Sequence, residues 1–123
     1  MKIVDAQIHI WSQTVTPPSG LHRKVERFTA EEALKEMDEA GVDQSILYAV
    51  DAPIVFSSNE YVSRMCERYS GRFIGFASVN PHSPDAPTIM AHAIRDLNLK
   101  GLKLHPPLQD FFPNSESVFP IYE

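Results

Sequence analysis

The stretch "DAQIHIW", residues 5–11, alternates polar and apolar side chains and so predicts a β-strand. Successive side chains of a strand point to opposite faces, which places Asp5, Gln7 and His9 together on one face. The apolar residues between them are expected on the other face, packed against helices. This strand therefore predicts a site in which a carboxylate, an amide and an imidazole face the same space.

Outward from this strand, the chain alternates strands and helices. Strands are predicted over residues 2–10, 44–50, 72–80 and 101–105, and helices over residues 31–40, 58–70, 86–98 and the opening turns of 115–123. Thr29 and Glu32 have the spacing of a capping box at the start of the first helix, and Gly41 predicts its end. Alternation at this spacing predicts an α/β fold with a parallel sheet and right-handed crossovers.

Each predicted helix has one apolar face that is expected to pack on the sheet. These positions are Ala33, Leu34, Met37 and Ala40 in the first helix, Tyr61, Val62, Met65 and Tyr69 in the second, and Ile89, Ala93, Ile94 and Leu97 in the third. His92 on the third helix, and His22 and His82 on loops, are expected to be structural or solvent-facing. Cys66 is expected to be a packed thiol on a helix.

Two architectures fit this order of elements: a small doubly wound sheet, or half of an eight-stranded α/β barrel. Pro17, Pro18 and Gly20 predict a polar loop after the first strand, but no glycine-rich phosphate-binding loop occurs there, which weakens the doubly wound, nucleotide-binding alternative. The sequence stops in the opening turns of its fourth helix, which would bury little apolar surface. We therefore expect residues 1–123 to form one partial domain, cut from a longer chain or in need of a partner.

The composition excludes several classes of function. Hydrophobic residues make up 43% and charged residues 22% of the 123 residues, which is typical of a globular protein. The formal net charge of -5 argues against binding to a nucleic-acid backbone, and no apolar run is long enough for a membrane span. Cys66 is the single cysteine, which rules out an internal disulfide and predicts a reducing, cytoplasmic location.

Polar residues end all four predicted strands. In a parallel barrel, the inward-facing residues at the carboxyl ends of the strands line the mouth, where the chemistry takes place. His9 is expected there from the first strand, and Lys103 and His105 from the fourth. The other residues expected to line a substrate pocket are Gln7, Trp11, Asp51 and Asn80. We predict catalytic roles for Lys103 and His105, and a metal-binding role for His9.

His9 and Lys103 each have a structural interpretation beside the functional one. Gln7 stands where a second imidazole ligand would belong, and an amide oxygen is a weak, neutral ligand poorly matched to zinc. His9 alone predicts a weak metal site, and the alternative is a hydrogen-bonded structural histidine. Lys103 could be a general acid, an electrostatic clamp or a carbamylated metal bridge, or Asp5 or another inward-facing carboxylate could neutralise it. His105 precedes two prolines that rigidify its loop, which favours a functional role.

Two segments, "IVDAQIHIW" (3–11) and "GLKLHPPLQDFFPNSESVFPIYE" (101–123), resemble the amidohydrolase superfamily. The branch is amidohydrolase-2, which is similar to aminocarboxymuconate-semialdehyde decarboxylase. The resemblance covers the whole chain and implies the N-terminal half, strands 1–4, of a TIM-like (β/α)8 barrel. It also implies a divalent metal, usually zinc, at the mouth, and hydrolysis of C–O or C–N bonds or decarboxylation of small acids.

This chain departs from the family pattern in two respects. The first histidine of the first-strand pair is replaced by Gln7, and His9 matches the second. Strands five to eight, which carry the other metal ligands in the family, are absent from these 123 residues. Lys103 and His105 match a fourth-strand motif that does not contain the principal ligands. The metal is therefore expected to be weakly bound or absent, and some lactonases of this superfamily work without a tightly bound one.

Two hypotheses about function follow. In the first, the chain is the N-terminal part of a metal-dependent hydrolase or decarboxylase that acts on a small organic acid, ester or lactone, and it is inactive without strands five to eight. In the second, the chain is a degenerate, non-catalytic barrel half that serves as an assembly partner. Exposed parallel edges invite pairing, so we expect either self-association or a complementary C-terminal half. No nucleic acid or membrane partner is expected.

Overall fold

The computed structural model describes residues 1–12, 14, 26–52 and 55–123, so the predicted loop with Pro17, Pro18 and Gly20, and the predicted position of His22, lie outside the described residues. The strands are β1 (Val4–Ile8), β2 (Gln44–Tyr48), β3 (Val50–Ala52), β4 (Val55–Ser57) and β5 (Phe73–Phe76). The helices are α1 (Ala30–Ala40), α2 (Asn59–Arg68), α3 (Ala86–Arg95), α4 (Pro106–Gln109) and α5 (Phe119–Tyr122), with a 3-10 turn at Glu116–Val118.

The main sheet is parallel and follows the order of the chain. Its strand order is β1-β2-β5, and both pairings are parallel. The predicted fourth strand is reduced to one parallel bridge between Ala77 and Leu102, on the free side of β5. The sequential order is that of consecutive βα units in a barrel, whereas a doubly wound sheet reverses its direction at a switch point. The prediction of parallel βα repeats from half of a barrel is therefore confirmed.

β1 contains one extra residue relative to β2, so its side chains do not alternate between the two faces as predicted. Asp5 pairs with Ser45 and Ile8 pairs with Leu47, so three steps along β1 match two along β2. Such a bulge shifts the phase of side chains on the bulged strand. Ser45 and Leu47 share a face of β2, and Asp5 therefore lies on the face of Ile8. The expectation that Asp5 shares a face with Gln7 and His9 is wrong.

The signals at the ends of α1 act as predicted. Thr29 accepts a hydrogen bond from the Glu32 backbone N–H, and the Glu32 carboxylate accepts one from the Thr29 N–H, which completes the capping box. Gly41 ends the helix with φ of 70°, a left-handed conformation that costs glycine little. α5 begins within the segment where the opening turns of a fourth helix were predicted.

Three predicted core positions are wrong. Ile89 and Ile94 of α3 are 39% and 42% exposed, and Ala40 at the end of α1 is exposed. α3 instead buries a face made by Ala86, Met90 and Ala93. Two apolar stripes fit the helical period in this segment, and the pattern alone did not identify the one that contacts the sheet.

Two regions have a local structure that the pattern did not predict. Val50, predicted as the end of the second strand, begins an antiparallel hairpin in which β3 pairs with β4. After the single bridge at Leu102, residues 106–109 form the short helix α4 where a loop was predicted. Both regions lie beyond the carboxyl ends of the parallel strands, where the candidate site is found.

The core lies between the sheet and the helices. Its fully buried large side chains include Ile10, Leu47, Val62, Val79, Leu99 and Val118. β5 approaches α2 closely at Gly75, where a Cβ atom would stand 2.5 Å from Leu99 Cδ2 and 3.0 Å from Val62 Cγ1. No helix in the described part of the chain has both the length and the apolar character that a membrane span requires.

Candidate functional site

A cavity of about 170 Å³ lies at the carboxyl ends of the parallel strands. It is lined by Gln7, His9, Trp11, Ala49, Val50, Asp51, Ala52, Ser78, Lys103, His105, Leu108 and Gln109. These residues come from the end of β1, from the chain after β2 and β5, and from the segment after the Leu102 bridge. Polar groups from four different parts of the chain therefore face one space, and the rest of its wall is apolar.

His9 is held between aromatic rings on the inner side of the cavity. Its ring stacks on Trp11 with centroids 5.7 Å apart, and it lies 5.8 Å from the Tyr48 ring. Burial lowers the pKa of the His9 imidazole, the Lys103 charge lowers it further, and the Tyr48 backbone opposes both. The Nδ1 atom is buried and has no hydrogen-bond partner of normal geometry within the described ranges. These surroundings favour a neutral imidazole.

Gln7 contacts the other nitrogen of that imidazole. Its amide nitrogen lies 3.5 Å from His9 Nε2. With the amide as donor, Nε2 is the acceptor and the ring proton sits on Nδ1. Gln7 thus occupies the place next to His9 with a neutral group that donates to the imidazole.

Lys103 extends its ammonium group towards the Tyr48 ring, which also packs against His9. Its Nζ atom lies 5.5 Å from the centroid of the Tyr48 ring, a cation–π geometry. Tyr48 is itself fixed, since its hydroxyl donates to the Ala6 carbonyl at 3.0 Å. Among the ion pairs formed between described residues, none includes Lys103, so Asp5 does not neutralise it. The ammonium group is available to an anionic group in the cavity.

His105 caps the short helix that follows it. Its Nδ1 accepts a hydrogen bond from the Leu108 backbone N–H at 3.3 Å. With Nδ1 as acceptor, the ring proton is on Nε2, so a neutral His105 has an N–H group to donate. The prolines at positions 106 and 107 open α4, which suits their fixed φ and missing N–H.

Gln109 is the functional candidate that the sequence did not reveal. It is 6% exposed, and its amide makes three hydrogen bonds to backbone groups. The amide oxygen accepts from His105 N at 2.7 Å, and Nε2 donates to Asp51 O at 2.7 Å and to Val79 O at 2.8 Å. A glutamine in this segment after two prolines belongs to no periodic pattern. The sequence therefore gives no sign of these hydrogen bonds, which depend on tertiary contacts.

The structure separates the predicted site residues into two groups. Six of the seven line the 170 Å³ cavity: Gln7, His9, Trp11, Asp51, Lys103 and His105. Asn80 instead lines a neighbouring cavity of about 210 Å³ with His82, and Asp51, Ala52 and Gln109 line both cavities. Asn80 points away because the chain turns at this position, where its side chain accepts from the His82 backbone N–H at 3.0 Å. The roles of all seven residues remain predictions.

Two other residues considered in the sequence, His92 and Cys66, lie outside the cavity. His92 lies on α3 with its Nδ1 atom 2.6 Å from an Asp96 carboxylate oxygen, outside the cavity. Burial raises the pKa of the Cys66 thiol to about 11, and the nearby Glu67 charge adds to this effect. A thiol with so high a pKa is a poor nucleophile at neutral pH, which agrees with the expectation of a packed cysteine.

The comparisons with known proteins place the chain in a family. The sequence model of the amidohydrolase family matches residues 4–123, which is nearly the whole chain. The chain therefore belongs to the amidohydrolase family, in its amidohydrolase-2 branch. A search of curated proteins finds no significant match.

Solved structures with the same fold are similar over part of their length. A 5-carboxyvanillate decarboxylase from Novosphingobium aromaticivorans, with manganese and 3-methoxy-4-hydroxy-5-nitrobenzoic acid bound, is 24% identical with a TM-score of 0.65, over 76% of this chain and 30% of that one. The Sphingomonas paucimobilis enzyme of the same name is 18% identical with a TM-score of 0.72, over 98% and 48%. A probable 2-pyrone-4,6-dicarboxylic acid hydrolase from Acinetobacter baumannii, with citric acid bound, is 14% identical with a TM-score of 0.69, over 98% and 44%.

These matches establish the fold and its extent. The chain spans less than half the length of each of the three enzymes. Their names concern small carboxylic acids in every case, although at these identities the similarity shows the fold alone.

The potential metal ligands among the described residues do not form a complete divalent metal site. Within residues 1–12, 14, 26–52 and 55–123, no group of three histidine, cysteine, aspartate or glutamate side chains converges. His9 supplies a single imidazole, its Nε2 faces the Gln7 amide nitrogen, and the Lys103 charge lies nearby. A structural divalent site needs several converging N, O or S ligands. These residues on their own therefore do not supply the ligand set of a divalent metal ion.

Proposed function

We propose that residues 1–123 form the N-terminal half of an amidohydrolase-type barrel and provide the carboxylate-binding wall of its active site. The proposed substrate is a small cyclic or aromatic carboxylic acid, which the complete barrel hydrolyses or decarboxylates. The single observation that supports this most directly is the convergence of Lys103, His105 and His9 on one cavity with apolar walls.

Lys103 is the proposed anchor for the substrate carboxylate. Its ammonium lies in a half-buried position with no ion pair to a described residue, where a charge-assisted hydrogen bond is stronger than in water. The apolar walls, Trp11 among them, offer a surface for an unsaturated ring. A ligand with an unsaturated ring and one carboxylate would contact both the Lys103 ammonium group and the apolar walls.

The two imidazoles are proposed to have different tasks. His105 presents its Nε2–H as a hydrogen-bond donor, because the cap at Leu108 occupies Nδ1. His9 stays neutral at pH 7, because burial and Lys103 lower its pKa, and it can therefore accept a proton or a hydrogen bond when Gln7 moves away from its Nε2. Strands five to eight would supply the remaining catalytic groups, so the chain alone is proposed to bind and not to turn over.

A binding measurement tests this proposal. The probe is 3-methoxy-4-hydroxy-5-nitrobenzoic acid, whose nitrophenol absorbance reports its surroundings. We expect the chain to bind the probe and Lys103→Met to bind it about tenfold more weakly or worse, the cost of one charge-assisted bond. Lys100→Met, which removes a lysine outside the cavity, should bind like the wild type. Equal affinity of Lys103→Met and the wild type, or no binding by the wild type, would refute the proposal.

A non-catalytic assembly role is the second candidate, and one observation favours it. The Gln7 amide contacts His9 Nε2, so this chain uses the first-strand position for a neutral contact within the protein. A barrel half retained only for assembly would show no carboxylate binding and would form a stable dimer with itself or a partner half. Sedimentation of the same sample that is used for the probe titration separates the two candidates.

A further inference from the structure

The backbone ladder beside β5 stops just where the cavity begins. Ala77 N donates to Gly101 O, and Lys103 N donates to Ala77 O, both at 2.7 Å. In a parallel ladder the next two bonds would join Val79 N to Lys103 O, a bond that is absent here, and then His105 N to Val79 O. The second of these bonds is not formed either.

The amide of Gln109 stands in place of this missing bond. His105 N donates to its Oε1 at 2.7 Å, and its Nε2 donates to Val79 O at 2.8 Å. A primary amide has an acceptor and donors like those of a peptide group, so both backbone groups remain satisfied while they stand further apart. The second proton of Nε2 goes to Asp51 O at 2.7 Å, which connects a third strand end.

The neighbouring pair of strand ends is separated in a related way. The ladder between β2 and β5 would next join Asp51 N to Ser78 O, but Asp51 N donates to the Ser78 hydroxyl at 3.3 Å instead. The Ser78 peptide is paired with Asn59, whose Oδ1 accepts at 2.9 Å and whose Nδ2 donates at 3.1 Å. Side-chain groups thus replace backbone rungs on both sides of the chain after β5, at the mouth of the sheet.

We propose that Gln109 is a positioning residue that holds the His105 backbone one amide width away from Val79 and thereby keeps the candidate site open. It lines both the 170 Å³ cavity and its 210 Å³ neighbour, as Asp51 and Ala52 also do, so its side chain forms part of the wall between them. The placement of His105 and Lys103 relative to the end of β2 depends on this wall. The consequence for ligand binding rests on the function proposed above, whereas the inserted amide itself does not.

Hydrogen exchange of the side-chain amides tests the inserted amide directly. Both Nε2 protons of Gln109 are bonded inside the protein, so in NMR spectra of the intact chain they should exchange at least about tenfold more slowly than those of Gln7. A scalar coupling across the bond from His105 N to the Gln109 side-chain carbonyl carbon is also expected. Rapid exchange of the Gln109 amide protons and no coupling would overturn the proposal.

A pair of matched variants tests the consequence for the site. Gln109→Leu keeps the volume of the side chain and removes all three bonds, while Gln44→Leu removes one comparable bond, from Nε2 to Gly71 O, at the opposite end of β2. We expect Gln109→Leu to weaken binding of 3-methoxy-4-hydroxy-5-nitrobenzoic acid about tenfold or more and Gln44→Leu to leave it unchanged. Unchanged affinity in a folded Gln109→Leu would overturn the positioning role.

The two proposals fail in different ways. If the wild type binds no probe, the proposed function fails, and the exchange and coupling measurements still decide whether Gln109 replaces the rung. If Gln109→Leu does not fold, Gln109→Glu is the second variant, because it keeps an oxygen for His105 N and loses both donated bonds. Its His105 amide signal should stay protected while probe affinity falls, and wild-type affinity in Gln109→Glu would contradict the proposal.

Discussion

The two ends of the parallel sheet are held together by different means. At the amino end, a backbone bond joins Ser45 N to Arg72 O. The Arg72 guanidinium donates to Asp38 of α1 and to the carbonyls of Val42 and Asp43, which lie between α1 and β2. At the carboxyl end, the side-chain amides of Gln109 and Asn59 take the place of backbone bonds, and each amide bonds to different backbone groups.

This difference shows how one sheet can be both rigid and open. Backbone rungs hold parallel strands at a fixed spacing of about 4.8 Å, which leaves no room for a ligand. Inserted amides pair with the Ser78 peptide, His105 N, Val79 O and Asp51 O and yet separate the strand ends, so polar side chains gain a shared space. The amino end therefore keeps a backbone bond between its strands, and the carboxyl end contains the candidate site.

The largest effect on the free energy of unfolding is expected for a residue of β2, which runs from one end of the sheet to the other. Leu47 lies in β2, the middle strand of the sheet, and is 0% exposed, so Leu47→Ala should lower the free energy of unfolding by about 2–5 kcal/mol. Urea denaturation measures this change. Ile94→Ala is the control: because Ile94 is 42% exposed, its loss should cost roughly 0.5 kcal/mol. A large loss for Ile94→Ala would mean that the α3 face predicted from the sequence is the buried one.

A smaller effect is expected when only the amino end is weakened. Arg72→Ala removes hydrogen bonds to Asp38, Asp43 and Val42, and should lower the free energy of unfolding by about 1–2 kcal/mol while leaving probe affinity unchanged. Arg68→Ala removes only an exposed ion pair to Glu31 and should change it by less than about 0.5 kcal/mol. Weaker probe binding by Arg72→Ala would show that the two ends are not independent.

The smallest expected effect concerns the pH dependence at the mouth. The pKa of His9 is lowered by burial and by Lys103, so between that pKa and about 6.5 the unfolded chain binds more protons than the folded one. The stability that neutral His9 contributes is complete above pH 6.5 and declines as the pH falls towards its lowered pKa. NMR titration should give His9 a pKa below 6.5. Denaturation of His9→Gln should lose this part of the pH dependence, and a His9 pKa above 6.5 would contradict the account.

The parts of the fold that depend on neighbours in sequence could be predicted. The capping box of Thr29 and Glu32 spans three residues, and Gly41 needs only its own backbone freedom, so both appear as expected. The parallel order of the strands also follows, because each helix between two strands forces a crossover. The placement of His9, Lys103 and His105 around one opening follows from the strand ends.

The parts that depend on distant contacts could not be predicted. The bulge in β1 arises from its pairing with β2 and removes Asp5 from the face of His9, although the local pattern is regular. Asn80 leaves the cavity because a turn at His82 captures its side chain. The hairpin that begins at Val50 likewise depends on the pairing of β3 with β4, which no periodic pattern in the sequence predicts.

By itself, the sequence determined the alternation of strands and helices, the helix ends and the membership of the amidohydrolase family, because these depend on spacings of a few residues and on motifs read in order. Only the tertiary structure decided which polar groups share the cavity and how it is kept open. Gln109 bonds to backbone groups 58 and 30 residues away, at Asp51 and Val79. Such bonds exist only after the strands have met, since a glutamine side chain carries no preference that identifies its partners in advance.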